Sequence, residues 1–179
     1  MCGSGTIPIE AALMTRRMAP GVGRQFAFER WPSHDAEGWA RTIDRARESA
    51  LPAAGIPIFG SDRDEGAIAA SVSNAGRAGV SADIEFLASA ISDAPIFGKA
   101  GWLVTNPPYG LRLGESGSLK NLYSQLGKVA RGRAPGHHLA MLSADKALDA
   151  QLRLEMTEVF KTKNGGIPVR LVVGAIPVK

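Results

Sequence analysis

Asn106, Pro107, Pro108 and Tyr109 are the residues whose types and spacing best suit chemistry, and they follow an apolar run at 101–105. Two consecutive prolines cannot continue a strand, because each lacks a backbone N–H and fixes φ. The chain must therefore turn out of the predicted sheet at this point. An amide and an aromatic ring then lie at the carboxyl end of a strand, which is the edge where open α/β sheets bind ligands.

These four residues suit chemistry on an exocyclic amine. The Oδ1 atom of Asn106 and the carbonyl of Pro107 can each accept one N–H of a planar amino group, so that the nitrogen lone pair points at an electrophile. The ring of Tyr109 offers a face for stacking a base, which is worth about 1–3 kcal/mol. The alternative is a plain proline turn with a buried tyrosine. We disfavour it because proline makes up only about 5% of residues in proteins, so this tetrapeptide is rare by chance.

A glycine-rich turn at the start of the chain is the second candidate site, and it contains Cys2, Gly3, Ser4, Gly5 and Thr6. Helical character follows, with a proline in the first turn, where its missing N–H costs nothing. Glycines let a ligand approach the backbone closely, and a helix start offers unpaired N–H groups to a carboxylate or phosphate. Alone this signal is weak, because Gly-Ser-Gly also occurs in ordinary loops. Such a loop normally follows a buried strand. Here the loop lies at the first residues of the sequence, so we expect a sheet whose first central strand is missing.

The third candidate is Asp62, which ends a predicted strand at residues 56–62. A carboxylate after the second strand of a nucleotide-binding unit is placed to bind the ribose hydroxyl groups of a cofactor. A predicted helix follows and extends to about residue 79. Asp62 could instead be a plain cap of that helix.

The remaining pattern predicts a single α/β domain over residues 1–179. Asn164-Gly165 lies between two β-rich runs, which is a strong signal for a hairpin, so we expect the sheet to end with an antiparallel strand. The other predicted elements are helices at 36–50, at 145–153 and from 118 into the basic tract 128–133, and strands at 83–87, 102–105 and 138–143.

Composition narrows the class of protein. The chain has 179 residues, a net charge of +4 and one cysteine. A single cysteine excludes a disulfide framework and favours a reducing compartment. Since no apolar run approaches the roughly 20 residues that span a membrane, we expect a cytoplasmic protein. The positive charge is compatible with a polyanionic partner.

His137 and His138 lack partners at metal-ligand spacing, so we expect no metal site.

Residues 24–32 interleave basic and aromatic side chains and lead into the arginine-rich helix predicted at 36–50. This pattern suits an RNA surface. For any single arginine we favour the alternative, in which the aromatic side chains anchor a loop and the arginines lie on a solvated helix face.

Several motifs together carry a family resemblance: MCGSGTIPIEAA at 1–12, FAFERWP at 26–32, NPPYGLRLG at 106–114, LYSQLG at 122–127 and NGG at 164–166. With the acid after the second strand, they resemble the class I S-adenosylmethionine-dependent methyltransferases, which have a Rossmann-like sheet. The resemblance narrows to the THUMP-associated RNA methylases, and within these to the bacterial 23S ribosomal RNA guanine-N2 methyltransferases. It covers nearly the whole chain.

The resemblance implies a role for each candidate residue. Residues 2–6 would form the loop beside the methionine part of S-adenosylmethionine, and Asp62 would bind its ribose. Residues 106–109 would bind the target amine, with Asn106 also bordering the cofactor. The methyl group would pass in line to guanine N2, with catalysis by positioning and electrostatics and without a metal or a covalent intermediate. The implied partner is RNA, and ribosomal RNA in particular.

Two features depart from the family pattern. Relatives carry a strand ending in Asp-Pro before the cofactor loop, and an RNA-binding THUMP domain before that strand. Neither feature precedes the loop in this sequence. Relatives also carry an acid where Ala90 stands, facing the adenine amino group of the cofactor. Asp93 lies nearby at a different spacing, and we take it as the candidate replacement.

Two other functions stay open from the sequence. One is methylation of a DNA adenine, a tRNA guanine or a protein glutamine, because the same four-residue motif serves those amines. The motif at 26–32 and the closing hairpin argue against this alternative. The other is a non-catalytic or incomplete methyltransferase fragment, which the absent strand and Ala90 favour.

Overall fold

The computed structural model describes residues 1–96, 98, 100–109 and 116–178, and its fold class is α/β as predicted. The helices are α1 (Thr6–Thr15), α2 (Ala36–Glu48), α3 (Glu65–Ala78), α4 (Ser116–Arg133) and α5 (Lys146–Asp149). The strands are β1 (Ile58–Asp62), β2 (Ile84–Ala88), β3 (Trp102–Thr105), β4 (His138–Ser143), β5 (Thr157–Asn164) and β6 (Ile167–Ala175). Within these ranges, no helix has both the length and the apolar character needed to cross a membrane.

The described strands form two hydrogen-bonded sheets. β1 pairs with β2 in parallel. The other sheet has the order β3-β4-β6-β5, in which β3 and β4 are parallel and both later pairings are antiparallel. The predicted antiparallel end of the sheet is therefore confirmed.

A gap separates the two sheets. Residues of β1 and β3 line one cavity of about 560 Å³, together with apolar side chains from α4 and β4. Each of these strands is paired on one side only among the described residues. The position of the gap agrees with the expectation of a sheet without its first central strand.

The core consists of two clusters of buried side chains, one at each sheet. α4 covers the larger sheet, and the buried residues there include Tyr123, Leu126, Leu139, Met141 and Val172. α1 and α3 cover the smaller sheet, where Ile9, Ala12, Ala75, Val80 and Ile84 are buried. Full burial of one large apolar side chain stabilises a fold by about 1.5–3 kcal/mol, so these two clusters hold the helices against the strands.

The terminal hairpin forms as predicted, but its turn lies one residue later than Asn-Gly. Gly165 and Gly166 have φ of +56° and +84°, and Asn164 pairs with Ile167. A two-residue hairpin turn of this hand needs positive φ at both central positions, and Gly-Gly meets that need without strain. Asn164 is therefore the last residue of β5, and its side chain is not part of the turn.

The aromatic and basic segment is anchored as the favoured alternative requires. The rings of Phe26 and Phe28 pack edge-on against Trp39 of α2, with centroid distances of 5.8 and 5.0 Å. On the same helix, Arg41 and Arg47 lie within ion-pair distance of acidic neighbours, 3.7 Å in each case, and their side chains are exposed. These contacts fit aromatic anchoring of a loop and a solvated helix face.

Candidate functional site

The start of the chain connects the ends of β1 and β3. The backbone N–H of Cys2 donates to the carbonyl of Ser61 at 2.8 Å, and the amino terminus of Met1 contacts the same oxygen. The hydroxyl of Thr105 donates to the carbonyl of Met1 at 3.2 Å. Because Ser61 precedes Asp62 and Thr105 precedes Asn106, these contacts bring the predicted glycine loop, acid and amine-binding turn to one edge.

The glycines of this loop have conformations that favour glycine. Gly3 and Gly5 have φ of +56° and +85°, and the N–H of Gly5 donates to the carbonyl of Cys2 at 3.0 Å. A Cβ atom on Gly5 would lie 3.0 Å from the side chain of Ser71, whereas one on Gly3 would meet nothing within 4 Å. Gly5 is thus required by packing, and Gly3 faces open space where a ligand can approach.

α3 supports the loop through two side chains that the sequence reading missed. The hydroxyl of Ser71 donates to the carbonyl of Gly3, and the amide of Asn74 donates to the carbonyl of Ser4, both at 2.8 Å. Ser71 is fully buried. The available signal was a pair of polar residues one turn apart on a helix rich in small residues.

The first turn of α1 is open to an acceptor. The helix begins at the exposed residue Thr6, and its cap, Gly5, makes no side-chain hydrogen bond. The first turn contains no acidic residue. Its backbone N–H groups can therefore donate hydrogen bonds to a carboxylate, as the sequence predicted.

The thiol of Cys2 is not set up as a nucleophile. Burial is the largest influence on it and raises its pKa, which outweighs the opposing hydrogen bond with Ser71. The thiolate is the reactive form of cysteine, and a raised pKa leaves the thiol protonated near neutral pH. The backbone of Cys2 holds the loop, because its N–H donates to the carbonyl of Ser61 and its carbonyl accepts from the N–H of Gly5.

Asp62 directs its carboxylate at the same loop. Its Oδ2 accepts from the N–H of Gly3 at 2.9 Å, and its Oδ1 accepts from the N–H of Asp64 at 3.2 Å. Burial raises the pKa of Asp62, but these backbone hydrogen bonds together outweigh it, and the net pKa is lowered. A carboxyl with a lowered pKa is ionised at neutral pH, and it loses the stabilising charge only in acid.

The alternative role for Asp62, capping the following helix, falls to Asp64 instead. The Oδ1 atom of Asp64 accepts from the N–H groups of Gly66 and Ala67 at 2.8 and 3.2 Å. Gly79 ends α3 with a φ of +71°. Since a neighbour caps the helix, the carboxylate of Asp62 remains available at the edge of the sheet.

The turn after β3 has the form that the two prolines require. Asn106 and Pro108 are exposed, while Pro107 is buried beneath them. The hydroxyl of Tyr123 donates to the carbonyl of Pro108 at 3.4 Å. Tyr123 is fully buried and belongs to the core. Burial raises the pKa of Tyr123, followed in size by the nearby charge of Asp149, and the hydroxyl therefore stays protonated as a donor.

Tyr109 connects this turn to the terminal hairpin. Its hydroxyl donates to Oδ1 of Asn106, and it accepts from Nδ2 of Asn164 at 2.9 Å. The ring of Tyr109 is half-buried, which leaves part of it accessible. Asn164 is a third residue that the sequence analysis did not assign to the site. The rest of the motif, residues 110–114, lies outside the described residues.

Asp93 lies in an exposed turn after β2. Its N–H donates to the carbonyl of Ala90 and its carboxylate accepts from the hydroxyl of Ser92, both at 3.0 Å. The segment begins beside the site, because the N–H of Ser89 donates to the carbonyl of Asp62 at 2.8 Å. The carboxylate of Asp93 makes no described contact with the other candidate residues.

His137 and His138 lie at opposite degrees of burial at the start of β4, and neither belongs to a cluster of metal ligands in the part of the chain that the structure describes. His137 is buried, and His138 stacks on Trp102 with a centroid distance of 4.7 Å. Among the residues that the structure describes, no group of three or more potential ligands could hold a metal ion.

The fold and the site define a class I methyltransferase domain. The chain belongs to the UPF0020 family, an RMKL-like methyltransferase domain, whose model matches residues 1–172. It is 41% identical over 171 residues to "Ribosomal RNA large subunit methyltransferase K/L" of Shewanella baltica, a match that covers 93% of this chain and 24% of that protein. The family resemblance drawn from the motifs is confirmed. The chain spans about a quarter of the length of the curated relatives it matches.

Solved structures agree on the fold. The crystal structure of SMU.472 complexed with SAH (S-adenosylhomocysteine) has a TM-score of 0.92 at 28% identity, and it covers 100% of this chain and 47% of that one. The crystal structure of a predicted N6-adenine-specific DNA methylase from Listeria monocytogenes has a TM-score of 0.80 at 31% identity, and it covers 96% and 44%.

Proposed function

We propose that this chain, as one domain over residues 1–179, transfers a methyl group from S-adenosylmethionine to the exocyclic N2 amine of a guanine in RNA, with 23S ribosomal RNA as the substrate. The observation that carries the proposal is the contact network of Met1 and Cys2. It brings the glycine loop, Asp62 and the turn at Asn106 together at the carboxyl ends of β1 and β3, which belong to the two neighbouring sheets.

The residues at this edge fit S-adenosylmethionine. Gly3 faces open space, the start of α1 has unpaired N–H groups, and Asp62 is an ionised acceptor. We propose that residues 2–6 hold the methionine part and that Asp62 holds the ribose hydroxyls. The cofactor supplies a methyl group on a positively charged sulfur. We keep Asp93 as the proposed acceptor for the adenine amino group.

Asn106 and Pro107 carry the other half of the proposal. An amide oxygen has two lone pairs, so Oδ1 of Asn106 can accept from the target amine while it also accepts from Tyr109. The carbonyl of Pro107 would accept the second N–H. These two bonds would fix the plane of the amine, and the ring of Tyr109 would stack on the base. Burial raises the pKa of the Cys2 thiol, which disfavours the thiolate that a covalent route through this residue would need.

An RNA partner fits the charge of the chain and the names of its relatives. The net charge is +4. The relative from Shewanella baltica is named for ribosomal RNA. Positive charge favours a polyanion without regard to sequence, so the choice of nucleotide would depend on the site itself. A cytoplasmic location stays an expectation from the single cysteine.

Asp62→Ala tests the cofactor half of the site. We expect the affinity for S-adenosylhomocysteine to fall by about 10- to 100-fold, because hydrogen bonds to a charged group contribute about 1.5–3 kcal/mol each. Calorimetric titration measures this change directly. The matched control is Asp44→Ala, which removes an exposed acid from α2 and should leave the affinity unchanged. Equal affinity of Asp62→Ala and the parent chain would exclude the ribose role.

A second candidate is methylation of adenine N6 in DNA. The observation that favours it is the likeness of nearly all of this chain to the Listeria monocytogenes structure, which is named as a predicted N6-adenine-specific DNA methylase. An amine bound by Asn106 and Pro107 could belong to adenine as well as to guanine, since both are planar exocyclic amines. Nucleoside analysis after methyl transfer to DNA and to RNA separates the two candidates.

A non-catalytic fragment is the third candidate, and the gap between the sheets is the observation behind it. Unpaired strand edges next to a cavity lower the stability of the cofactor-binding edge. The same calorimetry decides this point, because a chain that no longer uses the cofactor shows no saturable heat with S-adenosylhomocysteine.

A further inference from the structure

We propose that Asn164, at the end of the terminal hairpin, is a positioning residue for the reaction. It sets the orientation of Asn106 by fixing the hydroxyl proton of Tyr109. This inference rests on the proposed function, in which Oδ1 of Asn106 accepts a hydrogen bond from the target amine. It assigns a role to a hairpin residue 55 positions beyond Tyr109 in the chain.

The three side chains form a directed chain of hydrogen bonds. Nδ2 of Asn164 donates to the hydroxyl oxygen of Tyr109 at 2.9 Å, and that hydroxyl donates to Oδ1 of Asn106. A hydroxyl has a single proton to donate. Because Asn164 can only donate through Nδ2, the proton of Tyr109 is left for an acceptor on the other side.

This direction fixes which end of the Asn106 amide faces the hydroxyl. The two ends of an amide have nearly the same shape, but one accepts and the other donates. With the hydroxyl proton aimed at it, the amide presents Oδ1, and one lone pair stays open for the target amine. A rotated Asn106 would present Nδ2 to that amine, and two donors would face each other.

The hairpin is held firmly enough to do this. The turn at Gly165 and Gly166 leaves Asn164 in the ladder, paired with Ile167. Farther along β6, Arg170 donates to the buried carboxylate of Asp149 at 2.8 Å. That network ties β6 to the helix that follows β4, so the tip of the hairpin has a fixed position relative to the turn after β3.

Two variants of Asn164 test the direction of the chain. In Asn164→Ala we expect kcat to fall by about 10- to 100-fold, the range expected when a reacting group loses its alignment. KM for RNA and the affinity for S-adenosylhomocysteine should stay within about twofold, because neither depends on the amide orientation. Asn164→Asp keeps the shape, but its carboxylate can only accept a hydrogen bond. The Tyr109 hydroxyl would then donate to it rather than to Asn106, and the loss in kcat should be as large. A purely steric role predicts that Asn164→Asp retains the parent kcat.

The matched control is Asn121→Ala, which removes an exposed amide from α4. It should retain the parent kcat and melting temperature. Thermal unfolding of the Asn164 variants checks that the hairpin still folds.

A double-mutant cycle gives an independent readout. If Asn164 acts through Tyr109, Asn164→Ala should cost nothing further in a Tyr109→Phe background, because the hydroxyl is already gone. Additive losses in kcat would mean that Asn164 acts by another route, and they would overturn the proposal.

The side-chain amide NMR signals of Asn106 test the orientation without turnover. We expect them to shift in Asn164→Ala and Asn164→Asp and to stay in place in Asn121→Ala. Unchanged signals in all three variants would refute the positioning role. An inactive parent chain with shifted signals would instead count against the proposed function and leave the positioning role supported.

Discussion

Asn106→Ala is expected to reduce methyl transfer by at least about 10²–10³-fold, the typical loss when one preorganised polar group is removed from a reacting centre. The affinity of this variant for S-adenosylhomocysteine should stay near that of the parent chain. We expect this difference because Asn106 is exposed at the end of β3, whereas the proposed cofactor contacts lie at Gly3 and Asp62.

Single-turnover transfer and calorimetric titration on the same preparations measure the two quantities. Asn121→Ala again serves as the matched control, since it also truncates an exposed asparagine. A parallel loss of cofactor affinity in Asn106→Ala would show that its role in binding the amine is wrong.

Asp149→Ala is expected to have the largest effect on stability. Asp149 is buried, and its carboxylate accepts from the hydroxyl of Ser143 and from Arg170. Removing it leaves the guanidinium of Arg170, whose side chain is only 15% exposed, with the more distant Glu158 at 3.9 Å as its ion-pair partner. Breaking a buried ion pair from one side costs about 3–5 kcal/mol.

Denaturant unfolding monitored by tryptophan fluorescence measures the free energy of unfolding. Asp44→Ala, which breaks an exposed pair on α2, should change it by less than about 0.5 kcal/mol. The double variant Asp149→Leu with Arg170→Met should recover most of the loss, because no uncompensated charge remains. Equal stability of Asp149→Ala and the parent chain would show that the network does not hold the hairpin.

Local signals in the sequence were enough to predict the elements that carry the site. Pro107 and Pro108 end β3 where expected, because proline cannot continue a strand. The strand before Asp62 and the terminal hairpin also lie where their patterns indicate. The ends of these strands and the position of the hairpin turn depend on residues close together in the chain, and local sequence patterns predict such features.

The side chains that hold the glycine loop act through contacts between residues far apart in the sequence, and a sequence pattern cannot predict such contacts. Ser71 lies 68 positions from Gly3, and Asn74 lies 70 positions from Ser4. A serine or asparagine in a helix reads equally well as a solvated residue. The role of Asn164 was not predicted for another reason. Asn-Gly and Gly-Gly both suit a two-residue turn, and because the turn is formed by Gly165 and Gly166, Asn164 lies in β5 instead of in the turn.

The most direct test of the central claim is transfer of a labelled methyl group to large-subunit ribosomal RNA that lacks the modification, followed by nucleoside analysis. The chain should be run beside a version fused ahead of Met1 to an apolar strand long enough to span the cavity between β1 and β3. We predict that the label appears in N2-methylguanosine of the RNA, either with both protein chains or with the fused chain alone. Label in another nucleoside alone, or no label with either chain, would contradict the account.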